Sequence, residues 1–221
     1  MREDIITIDG PTSSGKNSVG FLLSQKLGYQ YIDSGSIYRA GCIFIFRNKI
    51  DLNDVPSIVN IYQNLTIEIK TTDHQQKFFA NNEDVTDVLH SPEVTQLVSP
   101  VSAIKEVRSA VKVIQKKLAS QKTVMTGRDI GSEIFPDARF KFFLTASVEV
   151  RAQRRFKQLV TKHPSVKYED VLNAMMERDK RDSEREASPM RVPEDALVID
   201  NSNLTVEETV SKMLDYIHQA H

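Results

Sequence analysis

The chain has 221 residues, of which 40% are hydrophobic and 27% are charged, a balance that excludes a largely disordered chain. Its 29 Lys and Arg against 30 Asp and Glu give a net charge of -1, so no nucleic-acid partner is predicted, although local basic pockets are compatible with this charge. The single cysteine, Cys42, excludes an internal disulfide. Because neither a secretion signal nor an apolar run of membrane-spanning length is recognisable, we expect a cytoplasmic protein that does not bind membranes.

The first elements along the chain predict a phosphate-binding loop. A β-branched run at residues 5–9 predicts a buried strand, and apolar residues at helical spacing predict a helix over 16–27 that ends at Gly28. This strand–loop–helix order is the context of a Walker A motif, in which backbone N–H groups and a lysine bind phosphates. A turn that only caps the helix is the alternative. The predicted loop is Gly10-Pro11-Thr12-Ser13-Ser14-Gly15-Lys16-Asn17-Ser18.

The rest of the chain alternates strands with helices, which predicts a parallel, doubly wound sheet. Strands are predicted at residues 29–33, 123–126, 140–144 and 196–200. Helices are predicted at 36–46, 105–118, 148–160 and 168–186, and after a capping box at 205–208. An apolar stripe on the helix over 105–118 consists of Val107, Val111, Ile114 and Leu118. Alternating residues between 64 and 85, with a tight turn at Asn81-Asn82, predict a small antiparallel insertion.

One short motif points to a different class of protein. Asn48-Lys49-Ile50-Asp51 matches the guanine-reading box of GTPases. It follows closely behind the phosphate loop, at the end of a predicted helix, and the sequence contains no D-x-x-G switch motif. We therefore interpret these four residues as a turn.

Three clusters carry arginine beside small polar or acidic residues, at 33–39, 127–131 and 178–185. On a helix, Arg178, Asp182 and Arg185 would share one face. The segment 151–191 holds 11 Lys and Arg against 7 Asp and Glu. A solvated, salt-bridged face is one interpretation of this segment. Beside a phosphate loop, an arginine-rich lid over a polyphosphate is the interpretation that we favour.

These segments together resemble the bacterial cytidylate kinases over nearly the whole chain. The motifs that carry the resemblance occur in the family's order; they are the phosphate loop, Asp33-Ser34-Gly35-Ser36-Ile37-Tyr38-Arg39, residues 82–87, Gly127-Arg128-Asp129-Ile130-Gly131, Phe135-Pro136-Asp137-Ala138 and the cluster at 178–185. The resemblance implies a three-layer α/β fold of the P-loop NTPase type, with a parallel central sheet, a small β-rich acceptor insertion and a helical lid. It implies a single unit over 1–221, with a core at about 1–33, 105–150 and 192–221, a CMP-binding insertion at about 34–104 and a lid at about 151–191.

The resemblance also implies a function. The chain would phosphorylate CMP and dCMP with ATP and Mg²⁺, in pyrimidine nucleotide metabolism, as a monomer. The implied base contacts are Ser34, Arg108, Asp129 and Arg185, the ribose contacts are Ser99, Arg178 and Asp182, and the monophosphate contacts are Arg39 and Arg128. The implied catalytic residues are Lys16, Arg128, Arg178 and Arg185, with the phosphate loop on ATP and Ser18 on the metal.

Two positions depart from the family pattern. Asn17 follows the loop lysine, and Thr126 stands before Gly127 where relatives usually carry Asp or Glu. Two alternatives therefore stay open. One is another small P-loop kinase that acts on UMP, AMP or a metabolite, and the other is a non-catalytic nucleotide-binding regulatory protein.

Overall fold

The computed structural model describes residues 2–71, 75–119, 122–161 and 163–219. The chain forms two compact units: unit 1 comprises Met1–Tyr31 and Thr123–His221, and unit 2 comprises Ile32–Lys122. Residues 105–119, which the sequence-based division places in the core, fall in unit 2. The functional division into core, acceptor insertion and lid stays a prediction.

The elements follow one another in the order that the sequence pattern predicts, with two further helices and one short turn of π-helix. They are β1 (Arg2–Asp9), α1 (Lys16–Leu27), β2 (Gln30–Asp33), α2 (Ser34–Arg47), α3 (Val55–Gln63), β3 (Ile67–Thr71), β4 (Gln76–Ala80), β5 (Glu83–Asp84), α4 (Pro92–Val101), α5 (Lys105–Leu118), β6 (Thr123–Gly127), the π-helical turn (Ile130–Ile134), β7 (Ala138–Thr145), α6 (Val148–Val160), α7 (Tyr168–Glu184), β8 (Leu197–Asp200) and α8 (Val206–Gln219).

Unit 1 is organised around the predicted parallel sheet, whose strand order is β2-β6-β1-β7-β8. Strand β1 pairs in parallel with β6 and β7, and β7 pairs in parallel with β8. Ile5 and Ile6 of β1, whose side chains point to opposite faces of the sheet, are almost fully buried, as expected for a central strand covered on both faces. Asp9 pairs with Gly127, so the ends of β1 and β6 lie side by side at the carboxyl edge of the sheet, where α/β proteins bind ligands.

Unit 2 contains the predicted antiparallel insertion, a three-stranded sheet in the order β3-β4-β5. The two-residue turn between β4 and β5 is Asn81-Asn82, with φ angles of 50° and 66°, as a type I′ hairpin turn requires. Helix α2 packs against α3, α4 and α5. Helices α3 and α4, which the sequence pattern did not predict, each have a proline in the first turn.

The guanine-box match is a helix end, as interpreted from the sequence. Lys49 has a φ of 52°, and its N–H donates to Phe46 O at 3.1 Å. The N–H of Ile50 donates to Ile45 O at 3.1 Å. These two bonds form the Schellman motif that closes α2. No helix in the described ranges combines the length and the hydropathy that a membrane-spanning segment needs.

Candidate active site

The phosphate loop, residues 10–18, leaves the carboxyl end of β1 and enters the first turn of α1. Gly10 has a φ of 153°, and a Cβ there would lie 2.1 Å from Leu144 O, so the close approach of the loop to β7 requires glycine. Lys16 is 7% exposed, and its Nζ donates to Pro11 O at 3.0 Å. The lysine ammonium therefore lies against the backbone of the predicted phosphate loop.

Thr12, near the tip of the loop, forms three hydrogen bonds with side chains from distant parts of unit 1. Its N–H donates to Asp179 Oδ1 at 2.8 Å, and its carbonyl accepts from Arg151 Nη1 at 3.0 Å. Its hydroxyl accepts from Arg128 Nη2 at 3.1 Å. Arg151 and Asp179 also pair with each other. Helices α6 and α7 therefore hold the loop tip, through two residues that the sequence analysis missed.

A cluster of arginines and carboxylates surrounds Asp182 in unit 1. Asp182 is 5% exposed, and its Oδ2 accepts from Arg128 Nε at 2.9 Å. Arg185 links the two acids, with Nη1 3.6 Å from Asp182 Oδ1 and Nη2 3.7 Å from Asp129 Oδ1. Burial raises the pKa of Asp182, but the charges of Arg128, Arg178 and Arg185 outweigh burial and hold this pKa below its ordinary value. Five predicted site residues thus meet inside one unit.

The helix over 168–186 is shorter than predicted, which changes the setting of Arg185. Helix α7 ends at Glu184, and Arg185 has extended backbone angles of φ -60° and ψ 143°. Its Nε donates to Ser188 O at 2.8 Å. The expected stripe of three helical residues is therefore two helical residues, Arg178 and Asp182, followed by an arginine in the next segment.

Unit 2 holds the other four predicted substrate contacts. Arg39 of α2 is 9% exposed and donates through Nη1 to Thr95 Oγ1 at 2.9 Å and to Leu89 O at 3.3 Å. Ser34 is buried at the start of α2. Ser99 is half-buried on α4. Arg108 is buried, and its Nη1 donates to Ser102 O at 3.0 Å. Its guanidinium carbon, Cζ, lies 5.6 Å from the centroid of the Tyr38 ring.

The buried face of α5 differs from the predicted apolar stripe. Val107 and Val111 are buried as expected, whereas Ile114 and Leu118 are only half-buried. Arg108 and Gln115 complete the buried face. Gln115 is 1% exposed and donates to Ser34 Oγ at 2.6 Å, so a polar side chain that the sequence analysis overlooked holds a predicted base contact.

The family profile of cytidylate kinase matches residues 6–219 of the chain. A cytidylate kinase from Caldicellulosiruptor saccharolyticus is 43% identical over 220 residues, which cover 99% of this chain and 97% of that protein. A cytidylate kinase from Bacillus subtilis is 40% identical over 215 residues, which cover 97% of this chain and 96% of that protein. The chain belongs to the cytidylate kinase family.

Solved structures support the fold of this cytidylate kinase family member. An uncharacterized protein from Eubacterium ventriosum has a TM-score of 0.52 and 16% identity, with 99% of both chains covered. A shikimate kinase from Bacteroides thetaiotaomicron has a TM-score of 0.50 and 10% identity, with 97% of this chain and 98% of that chain covered. At such identities the similarity shows the fold alone, and the predicted α/β fold with a parallel central sheet is confirmed.

Hydrogen bonds connect the two positions at which the chain departs from the family pattern. Thr126 Oγ1 lies 3.0 Å from the Tyr31 hydroxyl and 3.4 Å from Asn17 Oδ1. Because Asn17 Oδ1 can only accept, Thr126 donates to it and Tyr31 donates to Thr126. Two hydrogen bonds between neutral side chains, from Tyr31 to Thr126 and from Thr126 to Asn17, therefore lie where relatives usually carry a carboxylate.

The donors near the loop fit a metal ion that is held mainly by nucleotide phosphates. The hydroxyl of Ser18, exposed in the first turn of α1, is a hard oxygen ligand of the kind that Mg²⁺ accepts. Among the described residues, no group of three or more His, Cys, Asp or Glu side chains could form an all-protein cage. Mg²⁺ usually keeps several waters and binds substrate phosphates, so this donor set suits it.

Two further polar residues support the loop without having been predicted. Asn201, directly after β8, donates through Nδ2 to Ser14 O at 2.8 Å. Arg154 of α6 donates to Asn201 Oδ1 at 3.0 Å and to Asn201 O at 2.8 Å. Desolvation lowers the pKa of Arg154, but a guanidinium stays charged at any physiological pH. Both residues lie outside the motifs, which explains why the sequence pattern did not indicate them.

Proposed function

We propose that the chain transfers the γ-phosphoryl group of ATP to the phosphate of CMP or dCMP, giving ADP and CDP or dCDP. The observation that carries the proposal is the junction at Thr12 and Arg128. Arg128 bonds Thr12 of the phosphate loop and Asp182 of the arginine–carboxylate cluster at the same time. A donor-phosphate element and a second anion-binding element are therefore adjacent within unit 1, as transfer between two phosphates requires. Membership of the cytidylate kinase family points to the same reaction.

In this proposal the phosphate loop and Lys16 bind the phosphates of ATP. The loop offers backbone N–H groups and the positive end of α1, and Lys16 offers a point charge. Ser18 would supply one oxygen to Mg²⁺, which would neutralise negative charge on the phosphates. Lys16 would leave its present bond to Pro11 O to reach the outer phosphates.

The predicted substrate contacts are assigned to the acceptor nucleotide. Cytosine presents an exocyclic amine donor beside two acceptors, so it needs an acceptor such as Asp129 or Ser34 and donors such as Arg108 and Arg185. Arg178, Asp182 and Ser99 are assigned to the ribose. Arg39 and Arg128 are assigned to the monophosphate, because the guanidinium fork matches phosphate oxygens.

The chemistry needs positioning and charge more than proton transfer. An oxygen of the acceptor phosphate attacks the γ-phosphorus, and the bond from that phosphorus to the leaving oxygen of ADP breaks. The acceptor oxygen is already ionised at neutral pH, so a general base is unnecessary. We assign the stabilisation of the developing charge to Lys16, Arg128, Arg178 and Arg185.

The proposal extends to the setting of the enzyme. We infer a monomer that acts in the cytoplasm on small nucleotides, without nucleic acid or membrane as a partner. The near-zero net charge of -1 supports the absence of a nucleic-acid partner.

An acceptor screen with ATP tests the proposal. We expect CMP and dCMP to be used with kcat/KM at least about tenfold above that of UMP or AMP, the discrimination expected for losing one hydrogen bond to a charged group. The matched control is Lys16→Ala, purified identically, which should lose about two orders of magnitude in kcat, as expected for one charged donor on the transferring group. Better use of UMP or AMP than of CMP would refute the assigned base contacts.

A further inference from the structure

Asp9, the last residue of β1, makes hydrogen bonds that belong neither to the phosphate loop nor to the arginine–carboxylate cluster. It is 1% exposed. Its Oδ1 accepts from the Ile130 N–H at 2.9 Å, and its Oδ2 accepts from the Gly131 N–H at 2.7 Å. These two N–H groups open the π-helical turn, and the first N–H groups of any helix lack a partner inside it. Asp9 therefore caps this turn from another strand.

The residue that ordinarily caps such a turn is the one just before it, which here is Asp129. Aspartate is among the strongest capping residues because its own carboxylate accepts from the first N–H groups. Among the described residues of this turn, none donates a capping hydrogen bond to the Asp129 side chain. That side chain instead faces Arg185, with Oδ1 3.7 Å from Nη2.

We propose that Asp9 is a positioning residue for the acceptor base, because it caps the π-helical turn in place of Asp129 and keeps the Asp129 carboxylate directed at Arg185. The inference rests on the proposed function, in which Asp129 accepts from cytosine. Loss of the Asp9 cap would let Asp129 turn back to cap its own turn, and the base contact would be lost with it.

The residues around Asp9 allow its close contact with the π-helical turn. A Cβ on Gly131 would lie 2.8 Å from Thr7 Oγ1 and 3.4 Å from Asp9 Oδ2, so glycine allows the turn to approach β1. Burial raises the pKa of Asp9 to about 7, while the two N–H donors act against the rise. An ionisable group whose pKa is strongly shifted by burial is typical of functional sites.

The test begins with Asp9→Asn, whose amide can accept from one of the two N–H groups but presents its NH₂ to the other. We expect the KM for CMP to rise about tenfold, the size expected for losing a hydrogen bond to a charged group. The KM for ATP should stay within about twofold, because the phosphate loop keeps its own bonds. Thr7→Val is the matched control. It lies two residues earlier in β1, and its buried hydroxyl has no hydrogen-bond partner in the described part of the chain, so both KM values should be unchanged.

A double-mutant cycle separates positioning from general damage to the fold. If Asp9 acts through Asp129, Asp9→Asn should add no further rise in the KM for CMP once Asp129→Ala is present. Additive effects of the two changes would overturn the inference while leaving the proposed function intact. An unchanged KM for CMP in Asp129→Ala alone would also overturn it. A wild-type protein that does not phosphorylate CMP would instead refute the proposed function.

Gly131→Ala is the second variant in case Asp9→Asn does not fold. The added methyl group must push the turn away from Thr7 and Asp9, which weakens the same cap without changing a charge. We expect the KM for CMP to rise in this variant as well, again only while Asp129 is present. A rise that persists in full in the Asp129→Ala background would contradict the inference.

Discussion

Replacing Asp182 by asparagine should reduce both the stability of the protein and its affinity for CMP. Asp182 accepts from Arg128 Nε at 2.9 Å and lies 3.6 Å from Arg185 Nη1, while its side chain is only 7% exposed. The charge of Arg178 acts on it as well. Asp182→Asn keeps an oxygen for Arg128 but leaves the arginines without this negative charge.

The size of the effect follows from burial. Removing one partner of a buried ion pair typically costs about 3–5 kcal/mol, since the other charge is left uncompensated. Because asparagine retains one acceptor, we expect about 3 kcal/mol, the low end of that range. In a chain of this length each kcal/mol lowers Tm by roughly 2–4 °C, so Tm should fall by about 9 °C.

Glu177→Gln is the matched control, since it makes the same change of charge on the same helix. Glu177 pairs with Arg181 at 3.9 Å, and both side chains are more than half exposed. An exposed pair at this spacing contributes about 0.3–0.5 kcal/mol, so Tm should fall by about 1 °C. Urea unfolding and thermal unfolding measure the free energy of unfolding and the Tm of both variants. Steady-state kinetics measure the KM for CMP, which should rise only in Asp182→Asn.

The pH dependence gives a further check on the same change. The folded-state pKa of Asp182 lies below the ordinary value of 3.8, so the ionised side chain contributes stability above that pH. This contribution is lost as the pH falls through the folded-state pKa. The difference in unfolding free energy between the wild type and Asp182→Asn should therefore be constant near neutral pH and shrink below about pH 4. Equal losses in Asp182→Asn and Glu177→Gln at neutral pH would refute the reasoning.

Two further predictions concern the phosphate loop. Asp179→Ala should raise the KM for ATP more than Asp179→Asn does, because only the asparagine keeps an acceptor for the Thr12 N–H; steady-state kinetics with varied ATP measure the order, and the reverse order would contradict the role of this contact. Thr126→Asp should lower the Mg²⁺ concentration needed for half-maximal activity at fixed ATP and tighten Mn²⁺ binding followed by EPR, because it adds a carboxylate beside Asn17. Unshifted curves would place Thr126 outside the surroundings of the metal.

Local patterns were sufficient to predict most of the elements. The helices over 105–118 and 148–160 begin and end at the predicted residues. The capping box also forms, with the Thr205 N–H donating to Glu208 Oε2 at 2.8 Å and the Glu208 N–H donating to Thr205 Oγ1 at 3.1 Å. Helix periodicity, capping and strand–turn signals depend on residues a few positions apart, so the sequence displays them directly.

Features that depend on packing were not predictable from the same patterns. Helix α4 carries Pro100 inside it, and a proline inside a helix weakens the helical signal. On α5, Gln115 is buried because it bonds Ser34, a residue 81 positions earlier in the chain. A polar side chain interrupts an apolar stripe in the sequence, and only the folded chain supplies the partner that lets it be buried.

The candidate site shows the same division between residue identity and residue environment. The motifs identified Asp129 and Asp182 as acids beside arginines, but they indicated no role for Asp9 or Asp179. The structure separates them by their partners, since Asp9 bonds two N–H groups 121 and 122 positions away, and Asp179 bonds an N–H 167 positions away. Arginines lower the pKa of Asp182, whereas burial raises that of Asp9 to about 7. Two aspartates of identical chemistry thus differ in pKa and in hydrogen-bond partners because long-range contacts set their surroundings, and those contacts are properties of the fold rather than of any short motif.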